Sequence, residues 1–222
     1  MNLTSREVKC MDQIKEYGQG VVSTKEGYKI QIITIIGEIE GHDVSSGGTK
    51  TTKYEHIIPQ LIEVENDEHI DGILIVLNTI GGDVECGLAI AELLASLEKP
   101  TVSLVIGGSH SIGIPLAVAT QYSYIVPSAT MLAHPVRITG TVLGAPQTYY
   151  QFNQMQERIM DFICGHSDVQ KDKLEQLMMA KDMMAKDLGT ILVGSQAVEI
   201  GLINRVGGLK DAICQLKSMI AQ

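Results

Sequence analysis

The chain of 222 residues is 45% hydrophobic but only 4% aromatic and has no tryptophan, so its core must be filled mainly by aliphatic side chains. Its net charge of −9, spread along the sequence, argues against a surface that binds nucleic acid or an anionic membrane. The N-terminus lacks the apolar segment of a signal peptide, and no apolar run is long enough to span a membrane, so we expect a cytoplasmic protein.

The first third of the chain predicts an extension followed by the start of one domain. Residues 1–26 are polar and mixed in charge, and the domain is expected over 27–222. An isoleucine-rich run predicts a strand at 28–40, and adjacent glycines predict a loop at 41–55. Apolar residues at helical spacing predict a helix over 56–70 that starts near its proline.

The middle of the chain alternates between strand and helix patterns. Continuous apolar runs predict buried strands at 71–79 and 101–108. Helices are expected within 80–100 and 112–122, and short strands within 122–135. This alternation predicts an α/β fold with a parallel sheet and right-handed crossovers.

The segment LNTIGGDVECG places a Gly-Gly pair between a buried strand and a helix. Glycines permit positive φ, and N–H groups at a helix start favour an anion or a developing oxyanion. A plain strand–helix turn would also explain the pair. The segment is neither a phosphate-binding P-loop nor a dinucleotide-binding GxGxxG pattern.

The segment GGSHSIG contains Ser109, His110 and Ser111 at the next strand–helix joint. A serine there either caps the helix or presents its oxygen to a cleft as a nucleophile. The N–H of Ile112 would then face a developing oxyanion. Because Ser109 replaces the first glycine of the GxSxG motif, an α/β-hydrolase site is not indicated.

A nucleophilic serine needs a general base, usually a histidine. Four of the six histidines lie in polar loops or on helix surfaces, and His110 is adjacent to Ser111 in sequence. His134 ends an apolar strand run and precedes Pro135, which is a plausible position for a base in a cleft, although the pattern alone does not assign that role. Asp182 and Asp187 are the candidates for the acid that would orient it. The four cysteines are far apart and form no CxxC pair, which predicts free thiols and no metal site.

Four blocks in order, LNTIGGDVECGLAIAELL, VIGGSHSIGIPLAVA, MLAHP and GSQAVEIGLINRVGG, resemble the Clp-type serine protease subunits of the ClpP/crotonase superfamily. The resemblance runs from about Ile32 to about Val206. It implies a repeated β-β-α spiral with a helical handle, here expected at about 146–186. It also implies a serine endopeptidase that uses no cofactor.

The resemblance assigns roles position by position. Ser111 matches the nucleophile, His134 the base, and the N–H groups of Gly82 and Ile112 the oxyanion hole. The departure lies at the acid, because the family's aspartate falls on Gly189 in this chain.

Asp187, two residues before that glycine, is therefore the expected third member, with Asp182 or no carboxylate as alternatives. The C-terminal block is also similar to signal-peptide peptidases that use a Ser-Lys pair. No lysine lies between Lys99 and Lys171, however, so a lysine base is not indicated.

The resemblance further implies a homo-oligomeric ring, heptameric or stacked, that acts on peptides or unfolded proteins with or without an unfolding ATPase. Its nearest members are associated with protein export, which suggests signal peptides or other small peptides as substrates. Two other functions stay open at this point. One is an acyl-CoA enzyme of the crotonase fold, although its glycine-rich turn and catalytic glutamate are missing. The other is a ring-forming scaffold with an impaired triad.

Overall fold

The computed structural model describes residues 20–42, 48–137, 144–181 and 188–222. Within these ranges the strands are β1 (Gly20–Ser23), β2 (Lys29–Glu40), β3 (Thr51–Lys53), β4 (Gly72–Gly82), β5 (Thr101–Ser109), β6 (Tyr122–Ile125), β7 (Thr130–Ala133), β8 (Thr190–Val193) and β9 (Arg205–Val206). The helices are α1 (Tyr54–Asn66), α2 (Val84–Ala95), α3 (Gly113–Val118), α4 (Ala145–Gly165), α5 (Lys171–Met179), α6 (Ser195–Glu199) and α7 (Leu209–Ile220).

A mostly parallel sheet organises the described part of the chain, in the strand order β1-β2-β4-β5-β6-β9. The neighbours from β2 to β9 in this order are parallel, and β1 pairs antiparallel with β2 at the edge. β7 touches β5 through the pair Gly108 and Thr130, and β8 pairs antiparallel with β7. The mixed α/β fold predicted from the sequence is confirmed.

Both faces of the sheet are covered, which explains why β4 and β5 read as continuous apolar runs. The larger core includes residues of α1 to α5 and one face of the central strands. The smaller core lies under α7 and contains Ile30, Leu74, Val102, Leu104, Tyr124, Ala212 and Leu216. Because the strands are fixed between two cores, their carboxyl ends form a rigid platform for the loops that follow.

Two short strands arise where the sequence predicted no regular structure. Residues 20–23, assigned to the extension, form β1, which a tight turn closed by Thr24 and Gly27 returns to β2. Residues 51–53, assigned to a loop, form β3. The hydroxyl of Thr52 donates to the carbonyl of Ile36 and accepts from its N–H, both at 2.9 Å. Such pairing depends on the neighbouring strand, so local sequence does not reveal it.

The helix boundaries also differ from prediction in two places. α1 begins at Tyr54 and contains Pro59, which is exposed on the helix surface, where water can replace the lost backbone bond. α3 ends at Val118, earlier than expected. The hydroxyl of Thr120 donates to the carbonyl of Tyr122, and the N–H of Gln121 donates to the hydroxyl of Thr101, so the chain turns directly into β6.

The helical arm consists of α4 and α5, separated at residues 166–170 as the break near GHSD predicted. Met160 and Met178 are buried in the larger core, as is Met131 before the arm. These methionines therefore serve packing, which is the ordinary use of a flexible apolar side chain. Met183 and Met184 lie outside the described residues.

Candidate active site

Ser111 occupies the joint between β5 and α3 with a φ of 56°. Among the described residues it is the only one other than glycine with a positive φ. Such a conformation costs free energy in most residues and is concentrated at functional sites. Its N–H donates to the carbonyl of Leu132 at 2.9 Å, which ties the joint to β7, the strand that leads to His134.

The Gly-Gly pair at the end of β4 lies against this joint. A Cβ atom on Gly81, whose φ is +91°, would meet the Cβ of Ser111 and the carbonyl oxygen of His110, each at 2.8 Å. Only glycine therefore fits beside Ser111 at this position. The N–H of Asp83, two residues after Gly81, donates to the carbonyl of Ile39 on β2 at 2.9 Å.

His134 directly follows β7 and is half-buried. Its Nδ1 lies 2.6 Å from the carbonyl oxygen of Pro135. A carbonyl can only accept, so Nδ1 carries the proton and donates it in this bond. In the neutral ring, Nε2 then has the lone pair that a general base requires.

One cleft brings together four of the residues predicted for the site. Gly82, Ser111, Ile112 and His134 all line it, and its apolar wall includes Ile114, Ile159, Ile163, Leu174 and Met178. The last four belong to the helical arm, which closes the cleft from one side. Its volume of about 180 Å³ is below the roughly 300 Å³ of typical ligand pockets. The cleft therefore suits a single side chain better than a whole small molecule.

The two neighbours of Ser111 in the motif have other partners. Ser109 is fully buried, and its hydroxyl donates to the carbonyl of Gly113 at 2.6 Å. His110 Nε2 lies 2.9 Å from the hydroxyl of Thr130 on β7. Burial lowers the pKa of His110, and the nearby His134 lowers it further. Through these contacts both residues stabilise the joint between β5 and α3.

The acid is the one predicted group that the cleft does not reveal, because Asp182 and Asp187 lie outside the described residues. Gly189, where the family resemblance would place an aspartate, does lie beside His134. A Cβ there would be 2.8 Å from the Cβ of His134 and 2.7 Å from the carbonyl oxygen of Ala133, and φ is +126°. Atoms of Ala133 and His134 therefore occupy the space that a side chain at position 189 would need.

Two features of the cleft were not predicted from the sequence. One is the carbonyl of Pro135, a backbone group that no residue pattern singles out. The other is Arg137, whose guanidinium Nη2 donates to the carbonyl of Leu188 at 3.1 Å. A lone arginine in the otherwise apolar run that follows His134 is the signal that could have drawn attention to it.

Within the described ranges, no group of three or more His, Cys, Asp or Glu side chains is arranged to hold a metal ion. In the same ranges no helix is both long and apolar enough to cross a membrane.

Comparison with known proteins gives the family. The family model described as Clp protease matches residues 31–210. The translocation-enhancing protein TepA of Halalkalibacterium halodurans is 50% identical over 210 residues, which cover 95% of this chain and 82% of that protein. The proteolytic subunit of the ATP-dependent Clp protease of Leuconostoc citreum is 26% identical over 165 residues, which cover 73% of this chain and 71% of that protein. The chain belongs to the Clp protease family, a family of serine peptidases.

Proposed function

We propose that the chain is a serine peptidase with Ser111 as nucleophile and His134 as general base. The observation that carries the proposal is that one cleft is lined by both residues, with Ser111 at a strained backbone angle and His134 held with its proton on Nδ1. Family membership supports the same reaction.

In the proposed reaction, His134 Nε2 takes the proton of Ser111 as its Oγ attacks the peptide carbonyl. The protonated imidazole then gives that proton to the leaving amine, and the C–N bond breaks. Water next attacks the ester on Ser111, with His134 again accepting and returning a proton. The serine is regenerated, and the peptide has been hydrolysed without a cofactor.

The N–H groups of Gly82 and Ile112 are proposed to hold the oxyanion of each tetrahedral intermediate. No carbonyl of the described residues accepts the N–H of Ile112. Successive N–H groups of a strand point to opposite sides, and the N–H of Asp83 points to Ile39 on β2. The N–H of Gly82 is therefore expected to point away from β2, toward the cleft.

Asp187 is proposed to orient His134 as the third member of the triad. The support is the course of the chain, because Gly189 packs against His134 and Asp187 is only two residues earlier. The carbonyl of Pro135 already accepts from Nδ1 and so orients the ring of His134. The carboxylate of Asp187 would in addition stabilise the positive charge of the imidazolium.

The proposed substrates are small peptides, including signal peptides, and unfolded protein segments. An apolar cleft of single-side-chain size suits the apolar residues that such segments expose. The name of the translocation-enhancing relative supports a role in export.

The proposed working form is a homo-oligomeric ring, heptameric or stacked, in the cytoplasm, with or without an unfolding ATPase as partner. Members of the Clp protease family form oligomeric rings. Enclosure in such a ring would keep the cleft away from folded proteins.

Hydrolysis of short fluorogenic peptides by the full-length protein tests the proposal. Ser111→Ala and His134→Ala should each lower kcat by roughly 10⁴-fold or more, because each removes a member of one catalytic unit. Unchanged kcat in folded Ser111→Ala would refute the serine mechanism. Tight acyl-CoA binding without hydrolysis of any peptide would instead favour a crotonase-type enzyme.

A further inference from the structure

Arg137 is a cation at the rim of the cleft that contains Ser111 and His134. Its side chain is exposed, and Nη2 donates to the carbonyl of Leu188 at 3.1 Å. A guanidinium has five N–H donors in a planar fork, and Leu188 is the one acceptor that Arg137 has within the described part of the chain. The described residues therefore leave most of these donors available. The bond also fixes the direction of the side chain, which reduces the entropy lost when a ligand binds.

No carboxylate of the described residues forms an ion pair with Arg137, although the chain has 26 acidic residues and a net charge of −9. Arg158 behaves differently, since both of its terminal nitrogens are bonded to the carboxylate of Glu85 at 2.7 and 3.0 Å. An arginine that has no acidic partner among the described residues can bind an anion in a bidentate way.

The other residues that line the cleft indicate what kind of anionic ligand would fit. Among the described residues that line the cleft, only Arg137 and His134 have ionisable side chains. Ile112, Leu174 and Met178 are almost completely buried beneath it. A ligand that fits both features has an apolar side chain in the cleft and a negative group at the rim.

We propose that Arg137 is a specificity-determining residue that binds a carboxylate of the peptide substrate close to the scissile bond. The inference rests on the proposed peptidase function and names the substrate class of that site. The carboxylate has two possible sources, the C-terminus of a short peptide or the side chain of an aspartate or glutamate. An extended peptide advances about 3.3 Å per residue, so either group must lie within a few residues of Ser111.

A purely structural role for Arg137 makes a different prediction. If the guanidinium served only to tie its segment to Leu188, its loss would affect all peptides equally. A carboxylate-binding role instead changes the ratio between charged and neutral peptides, and that ratio falls as salt screens the attraction.

The test uses three fluorescent peptides with the same leucine before the scissile bond. The first has asparagine and a C-terminal amide, the second has asparagine and a free C-terminal carboxylate, and the third has aspartate and an amide. Binding is measured by fluorescence anisotropy on full-length Ser111→Ala, which cannot consume the peptide, and kcat/KM is measured on the wild type.

At least one carboxylate peptide should bind about tenfold more tightly than the neutral peptide, and the second and third peptides identify the source. When Arg137→Gln is added to Ser111→Ala, the ratio of the two affinities, carboxylate over neutral peptide, should fall to about one. Arg137→Lys should retain part of this preference because the positive charge remains. Arg205→Gln, a matched change at the exposed strand β9, should retain the full ratio. Thermal melts confirm that each variant is folded.

Equal binding of all three peptides to Ser111→Ala, or an unchanged ratio after Arg137→Gln, would overturn the inference. The wild-type kinetics separate this failure from that of the proposed function. If peptides bind with the expected preference and the wild type hydrolyses none of them, the proposed function is wrong while the carboxylate site stands. If hydrolysis proceeds without any preference, only the role of Arg137 is wrong.

Discussion

Ser111 depends on neighbours that leave it very little room. Gly81 passes so close to its Cβ that a larger residue there would collide, and the bond to Leu132 holds its backbone toward β7. Residue types and order predicted the joint, and the family resemblance predicted Ser111 as the nucleophile and His134 as the base, two roles that stay predictions. The strain at Ser111 could not be predicted, because it results from contacts with β4 and β7 that are distant in sequence.

Pro135 and Arg137 mark the limit of prediction at this site. The group that orients His134 in the described structure is a backbone carbonyl, which every residue carries and no sequence pattern distinguishes. Arg137 acquires its significance only when the cleft is formed by β4, β7 and the helical arm together. Both contributions arise from tertiary structure.

Asp187→Asn should lower kcat by about 10³- to 10⁴-fold with little change in KM, because the imidazolium that forms on His134 loses its negative partner. Steady-state hydrolysis of a fluorogenic peptide measures the effect. Asp182→Asn is the matched control and should stay within about threefold of the wild type. If Asp187→Asn behaved like this control, the carbonyl of Pro135 would be sufficient to orient the base.

His110 should make stability depend on pH below about 6.5. Burial and the nearby His134 lower its pKa in the folded protein from the usual 6.5, so the unfolded chain binds more protons between these two values. The contribution of His110 is therefore complete above pH 6.5 and is lost as the pH falls toward the lowered pKa.

The measurement is the free energy of unfolding in urea at a series of pH values. The decline below pH 6.5 should be smaller in His110→Gln, whose amide can still reach the hydroxyl of Thr130. Identical pH profiles for the two proteins would mean that His110 does not contribute.

Strands and helices were predicted correctly where the segment has a clear apolar pattern whose side chains are buried in the core. β4, β5 and α2 have long apolar runs or helical periodicity, and all three form close to the expected positions. β1 and β3 are short, and they exist because β2 offers them a free edge. Backbone hydrogen bonds to β2 stabilise both strands. Such bonds can form with almost any residue type, so the sequence does not reveal them.

α7 stabilises the sheet through the smaller core, and one side chain tests this directly. Leu216 is 0% exposed beneath the sheet, whereas Leu209 on the same helix is 54% exposed. Leu216→Ala should lower the free energy of unfolding by about 2–5 kcal/mol, because it removes buried apolar surface and leaves a cavity.

Leu209→Ala, the same chemical change, should alter the free energy of unfolding by no more than about 0.5 kcal/mol. Urea denaturation of the two variants gives the comparison. Equal effects would mean that α7 does not pack as described.

For the whole molecule, the fold class and family follow from the sequence, and assembly is the property that a single chain does not display. The helical arm bears Tyr149 and Tyr150, which are 70% and 62% exposed. Adjacent exposed aromatic side chains are typical of protein interfaces. We expect them to contribute to contacts between subunits of the proposed ring.

Sedimentation should therefore show the wild type as a multiple of the protomer mass and the double variant Tyr149→Ser with Tyr150→Ser as a smaller species. Leu209→Ser removes another exposed apolar side chain outside the arm and should leave the assembly intact. Loss of assembly in Leu209→Ser alone, or none in the double variant, would place the contacts elsewhere.

Covalent labelling with a fluorophosphonate tests the nucleophile most directly, because the reagent reacts with an activated serine and needs no knowledge of the substrate. The folded wild type should gain one label, located at Ser111 by peptide mapping. Ser109→Ala should still be labelled, whereas Ser111→Ala should not. If the folded wild type stayed unlabelled, or if the label persisted in Ser111→Ala, Ser111 would not be the nucleophile.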